Sequence, residues 1–228
     1  MTADRLAVFD LDGTLIDTAP DLIDTANIVL KAHGFDPVPN SVLRDFIGVG
    51  ARKMIASGLK ANGAGVDQVE MDRAHADFIA HYETRMARHS RPFPEIIACL
   101  DALDAAGVPM AVCTNKQERL ARQLLSELGL MDRFVALTGG NTFSVAKPHP
   151  DHLWNTIDLA KGQRAGTVFI GDSRIDFETA RAAKIPFVGL DYGYTDVPMA
   201  ELGPDRLCSP GEDIAAAILS LFPAPVRR

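Results

Sequence analysis

Five short apolar runs punctuate the chain, and each closes on a polar cluster: Leu6 to Phe9, Pro109 to Cys113, Phe134 to Leu137, Thr167 to Ile170 and Phe187 to Leu190. Runs of that length without polar alternation predict strands buried on both faces. Between them, helical periodicity covers Glu95 to Ala106, Gln117 to Leu128, Asp151 to Leu159 and Asp176 to Ala183. Strand and helix alternating in this way predict an α/β fold with a parallel sheet covered on both sides. Ligands of such sheets bind beyond the carboxyl ends of the strands, where Asp10, Thr114 and Asp172 all fall.

Residues 17–91 read differently. They hold no clear strand run, but helical patterns over Asp21 to Ala32, Val42 to Phe46, Arg52 to Lys60 and Gln68 to Met86. The breaks lie at Gly34 to Pro39, Gly48-Val49-Gly50 and Asn62 to Gly65. This predicts an all-helical cap domain (17–91) inserted into a core made of 1–16 and 92–228, with joints near Thr18 to Pro20 and Ser90 to Pro94. There is no internal repeat, and the one biased stretch is a Pro/Arg tail from Pro223 to Arg228.

Composition narrows the partners. The 228 residues are 47% hydrophobic, enough for a large buried core, and the formal charge of −7 argues against nucleic acid or an anionic membrane as the main partner. Cys99, Cys113 and Cys208 are odd in number and lack metal-type spacing, so no disulfide framework is expected, and Cys113 reads as a small core residue. The chain moves from Met1-Thr2-Ala3-Asp4-Arg5 almost directly into a strand, without a basic segment and long apolar run, so a cytoplasmic location is expected.

Candidate chemistry sits where the apolar runs end. Asp10-Leu11-Asp12-Gly13-Thr14 puts two acids on a curling strand end, where they can converge on one pocket. Such a pair suits a carboxylate nucleophile beside an acid/base group, screened by a metal ion; it also fits a plain polar turn. Thr114-Asn115-Lys116 offers a hydroxyl and an amide for phosphate oxygens at a helix start, or a simple helix cap. Lys147, flanked by proline in Ala146-Lys147-Pro148-His149-Pro150, is either a fixed cation for a developing anion or a solvated loop residue. Asp172 and Asp176, in Gly171-Asp172-Ser173-Arg174-Ile175-Asp176, suit a hard Mg²⁺ ligand and an acid that orients Lys147, although Asp176 also fits a helix first turn. His149 and His152 read as surface residues, Trp154 as packing, and the acids of the helical block as solvated faces.

In this order, the four motifs resemble those of the haloacid dehalogenase-like hydrolase superfamily over essentially the whole chain. The resemblance implies a Rossmann-like core and, from the insertion after the first motif, the helical-cap subclass. It makes Asp10 the nucleophile that becomes an aspartyl-phosphate and Asp12 the general acid/base. Thr114 becomes the phosphate-binding hydroxyl and Lys147 the charge-stabilising lysine. Asp172 becomes a Mg²⁺ ligand together with Asp10 and the Asp12 carbonyl, with Asp176 behind them. Carbon–halogen cleaving members lack the second acid, so a phosphatase is implied.

Phe46-Ile47-Gly48-Val49-Gly50, the Lys147 loop, and Gly171 to Asp176 with Gly189 to Tyr194 resemble the phosphoglycolate phosphatase family. Gly48 and Arg52, at the start of a cap helix, then become candidates for meeting the non-phosphate end of a small phosphorylated metabolite. Relatives carry Gly in place of Lys184 and often Asp in place of Asn141. The expectation is a Mg²⁺-dependent phosphatase for 2-phosphoglycolate, working as a monomer or homodimer. A phosphatase of another small substrate (a sugar phosphate or pyrophosphate), a hexose-phosphate mutase and an inactive binding protein are the alternatives.

Overall fold

A computed structural model describes residues 3–65 and 67–223; the end of the Pro/Arg tail, 224–228, lies outside them. Six parallel strands form one sheet: β1 (Leu6–Phe9), β4 (Met110–Cys113), β5 (Phe134–Thr138), β6 (Thr167–Gly171), β7 (Phe187–Leu190) and β8 (Arg206–Cys208), in the spatial order β5-β4-β1-β6-β7-β8. Every residue of β1, β4, β6 and β7 is buried. Alternate side chains of β1 serve opposite layers. Ala7 and Phe9 pack with α5 (Pro94–Ala105), α6 (Glu118–Glu127) and α10 (Ile214–Leu221). Leu6 and Val8 pack with α7 (Pro150–Leu159) and α8 (Arg174–Ala183). This is the parallel α/β core that the apolar runs predict. The last strand, β8, and the helices α9 (Met199–Leu202) and α10 carry too little periodicity to stand out in the sequence.

Register sets where the strands stop. Phe9 pairs with Val112 on one side and Ile170 on the other. One residue further, Asp10 donates its N–H to the Ile170 carbonyl at 2.9 Å. The chain runs from β1 outward to β4 and β5, then returns to β6 and continues the other way, so the order reverses beside β1. A crevice opens beyond the carboxyl ends at such a reversal.

Between the core strands lies a helical insertion of α1 (Ala19–Ala32), α2 (Asn40–Arg44), α3 (Ala51–Ala61) and α4 (Gln68–Glu83). It is flanked by a two-residue antiparallel ribbon, β2 (Ile16–Asp17) with β3 (Arg91–Pro92), which is too short to leave a sequence signal. Most acids of these helices are solvated, as expected, but Asp21 is not. Its buried carboxylate accepts hydrogen bonds from the N–H groups of His89 and Ser90 and from the Ser90 hydroxyl, the last two at 2.7 Å. The acid clamps the start of α1 to the returning chain. Among the described residues, no helix is long and apolar enough to cross a membrane.

Helix α8 starts with a Ser173/Asp176 capping box and ends at Lys184, whose φ of 58° is left-handed. The family resemblance implies Gly at that position, and an L side chain is strained there. Lys184→Gly should therefore raise the urea midpoint by the equivalent of about 0.5–1 kcal/mol, since glycine's extra unfolded-state entropy offsets part of the relief. Turnover should not change.

Candidate active site

The curl that brings Asp10 and Asp12 together depends on Gly13. Its φ is +90°, and a Cβ there would meet Asp172 Oδ2 at 2.3 Å, so only glycine fits. The chain then turns back, with Gly13 N–H donating to the Ile16 carbonyl at 2.9 Å. Gly193 gives Asp172 the same close approach from the loop after β7: a Cβ there would lie 2.1 Å from Oδ2.

Asp10, Asp172 and Asp176 are buried and can bring one oxygen each within 4.8 Å of the others. Asp172 is held at both oxygens, by the Thr14 hydroxyl at 2.6 Å and the Tyr194 N–H at 2.7 Å. Asp176 accepts from Ser173 N–H and Oγ through one oxygen and faces Lys147 Nζ at 2.6 Å through the other. The same ammonium lies 2.8 Å from Asp10 Oδ1. Burial and the neighbouring Asp176 push Asp10 up to about 7 against the pull of Lys147. Burial, Asp176 and Asp10 hold Asp172 well above the ordinary carboxylate range. Burial opposes the charge on Lys147, but Asp10 and Asp176 outweigh it and raise its pKa. Three buried acids share one cation. Their charge must be balanced by bound protons or by a metal, and an all-oxygen donor set of this kind suits a small hard dication such as Mg²⁺.

Asp12 turns away from this cluster. Lys116 Nζ reaches its two oxygens at 2.9 and 3.2 Å. Thr114, at the end of β4, is buried, and its Oγ1 accepts the Lys116 N–H at 3.2 Å. The side-chain NH2 of Asn115 donates to the Lys147 carbonyl at 3.1 Å, tying the two loops together, while its buried Oδ1 has no partner. Asn141 accepts the Glu118 N–H at 2.8 Å and caps α6.

These residues open on a cavity of about 290 Å³. Asp10, Asp12, Thr114, Asn115 and Lys116 form its sheet side; Gly48, Arg52, Phe78 and Tyr82 form part of its helical side. The size suits a small ligand. Gly50, with φ +115°, precedes the first turn of α3, and Arg52 in that turn is paired with Asp72.

The structure brings Asp10, Asp12, Thr114, Lys147, Asp172 and Asp176 to one end of the sheet, with supports that sequence reasoning misses. Lys116 stands beside Thr114 and Asn115 in the motif, yet nothing local says that it reaches back 104 residues to Asp12. Thr14 and Tyr194, the partners of Asp172, are likewise distant in sequence.

His152 also differs from expectation, being fully buried rather than on the surface. Its Nδ1 accepts the Lys147 N–H at 3.2 Å, so Nε2 carries the proton toward Thr138 Oγ1, also at 3.2 Å. Burial, and Lys147 second, push its pKa down to about 4. Between about pH 6.5 and pH 4 only the unfolded chain takes up this proton, so stability falls with falling pH across that window. The loss should approach about 3 kcal/mol by pH 4. Urea midpoints from pH 7 to pH 4 should therefore fall more steeply for the wild type than for His152→Asn.

Residues 7–190 match the family described as haloacid dehalogenase-like hydrolase. The phosphoglycolate phosphatase of Agrobacterium fabrum is 44% identical over 217 residues, 95% of this chain and 92% of its own length. That of Mesorhizobium japonicum is 42% identical over 204 residues, 90% of each chain. A crystal structure described as a predicted phosphoglycolate phosphatase from Haemophilus somnus superimposes with a TM-score of 0.86 at 28% identity, covering 96% of this chain and 98% of its own.

Proposed function

The chain belongs to the haloacid dehalogenase-like hydrolase family, and from that premise we propose that this phosphoric monoester hydrolase cleaves 2-phosphoglycolate, in a Mg²⁺-dependent reaction through an aspartyl-phosphate on Asp10. One observation carries the reading. Asp10 is buried at the tip of β1, 2.8 Å from the Lys147 ammonium, clustered with two further acids and open to a small cavity.

In this reading an Asp10 oxygen attacks phosphorus as the bond to the ester oxygen breaks. Asp12 gives that oxygen its proton, then takes one from the water that releases phosphate and restores Asp10. Lys147 and the Thr114 hydroxyl meet the phosphoryl oxygens. Asp10, Asp172 and the Asp12 carbonyl would hold Mg²⁺, which when bound supplies the charge that lets a carboxylate approach a phosphoryl group. Asp176 keeps Lys147 in place. Residues 17–91 act as a cap domain over a core of 1–16 and 92–228, with Gly48 and Arg52 on the wall that faces the leaving group. The protein works in the cytoplasm on a small phosphorylated metabolite, as a monomer or homodimer.

Phosphate release from a panel of small phosphoesters with Mg²⁺ tests this, with 2-phosphoglycolate expected to turn over fastest. Transfer of phosphate to a sugar, in place of release, would assign a mutase instead. A chain inert toward the whole panel would sink the enzyme reading.

A further inference from the structure

Lys116 commands the leaving-group side of the cavity. Its side chain is 6% exposed and holds both oxygens of Asp12. Arg52, in the same cavity wall, is 47% exposed and already paired with Asp72. Asp12 dictates where a leaving group sits, because a proton donor must come within about 2.6–3.2 Å of the ester oxygen. In a phosphoester of a 2-hydroxy acid the carboxylate carbon is two bonds from that oxygen, and its own oxygens fall about 3 Å away. The substrate anion is thereby forced next to Asp12, in a buried site where a carboxylate needs a cation or hydrogen-bond donors of its own. Among the described residues, the cation paired with Asp12 is Lys116.

A second observation lies in the same wall. Tyr82 is 1% exposed, and its buried hydroxyl lies beside the Lys116 ammonium. The Lys116 ammonium lies 4.6 Å over its ring. An ammonium only donates, so the proton of this hydroxyl still lacks an acceptor, which a ligand oxygen would supply.

The geometry points to Lys116 and the Tyr82 hydroxyl as the pair that grips the substrate carboxylate, selecting phosphoesters of 2-hydroxy acids over those of neutral small alcohols. The inference rests on the phosphatase reading, and it moves recognition from Arg52 to the loop after β4. Because the Lys116 N–H also holds Thr114 Oγ1, three consecutive residues set both the phosphate contact and the carboxylate contact. A Lys116 shared with substrate no longer closes both Asp12 oxygens, which opens that acid to the ester oxygen.

Steady-state kinetics on 2-phosphoglycolate and ethyl phosphate, with Mg²⁺, test it in the wild type, Lys116→Met and Tyr82→Phe. Lys116→Met should lose at least about tenfold more kcat/KM on the acid than on the neutral ester, mostly through KM. Tyr82→Phe, which keeps the ring, should lose about threefold or more selectively. Equal losses on both esters overturn the inference, since Lys116 then merely positions Asp12. If Lys116→Met does not fold, Tyr82→Phe alone decides in the same way. A wild type that prefers ethyl phosphate overturns the inference and leaves a phosphatase standing; one inert toward both overturns the phosphatase reading as well.

Discussion

Asp10→Asn should abolish turnover, by about ten-thousand-fold or more, while leaving the fold intact. The amide keeps the shape of the side chain but has no lone pair able to attack phosphorus, and no neighbouring acid is placed to take its part. Asp172 and Asp176 have their oxygens engaged by Thr14, Tyr194, Ser173 and Lys147. Stability should respond in the opposite sense. Three acids crowd one ammonium, so neutralising Asp10 relieves like-charge repulsion while Lys147 keeps its contact with Asp176. Without divalent cation, Asp10→Asn should melt no lower than the wild type. Paired measurements of phosphate release and thermal midpoint check this, and turnover within tenfold of wild type would place the nucleophile elsewhere.

Lys147→Met should damage both properties. Its side chain is 2% exposed, and its ammonium lies 2.8 Å from Asp10 and 2.6 Å from Asp176. A methionine of similar length fills the space but leaves the acids without their cation, at a cost of up to about 3–5 kcal/mol that shrinks as Asp10 takes up a proton. Loss of one preorganised cation at a developing anion should lower kcat by a further factor of about 10²–10³. Urea midpoints with and without Mg²⁺ separate the two effects. The cation should restore stability to Lys147→Met more than to the wild type, because it repairs a larger charge deficit. Full wild-type stability in the variant without metal would mean that the three acids are not ionised together.

The residues behind these two expectations are not equally legible in the chain. Asp10, Thr114 and Asp172 are legible because each ends an apolar run, and parallel strands in register must put such ends side by side. Lys147 is legible mainly through family resemblance, since its loop has no periodicity. What escapes local reading is direction and burial. Asp21 follows a Pro at the start of α1 and looks like a first-turn acid, yet its oxygens serve residues 89 and 90. His152 sits in the first turns of α7, but the sheet and the Lys147 loop close over it. Tyr82 looks like ordinary helix packing; that its hydroxyl proton lacks an acceptor is visible only once Lys116 is seen beside it. Each miss involves a partner many residues away, and short-range pattern does not encode such pairings.

The two-residue ribbon has a consequence for how such a chain can diversify. Asp17 and Arg91 are registered partners, so the two tethers of the helical block stand one strand spacing apart, about 5 Å. Lengthening, shortening or exchanging everything between them alters a loop whose ends are already fixed, at a closure entropy that grows only logarithmically with its length. The strand order, and with it the placement of the acids, never senses the exchange. Selectivity for the organic half of a substrate can therefore drift through the helical block while the apparatus aimed at phosphorus stays constant. The exception is whatever portion of that selectivity, such as a lysine after β4, is anchored in the sheet itself.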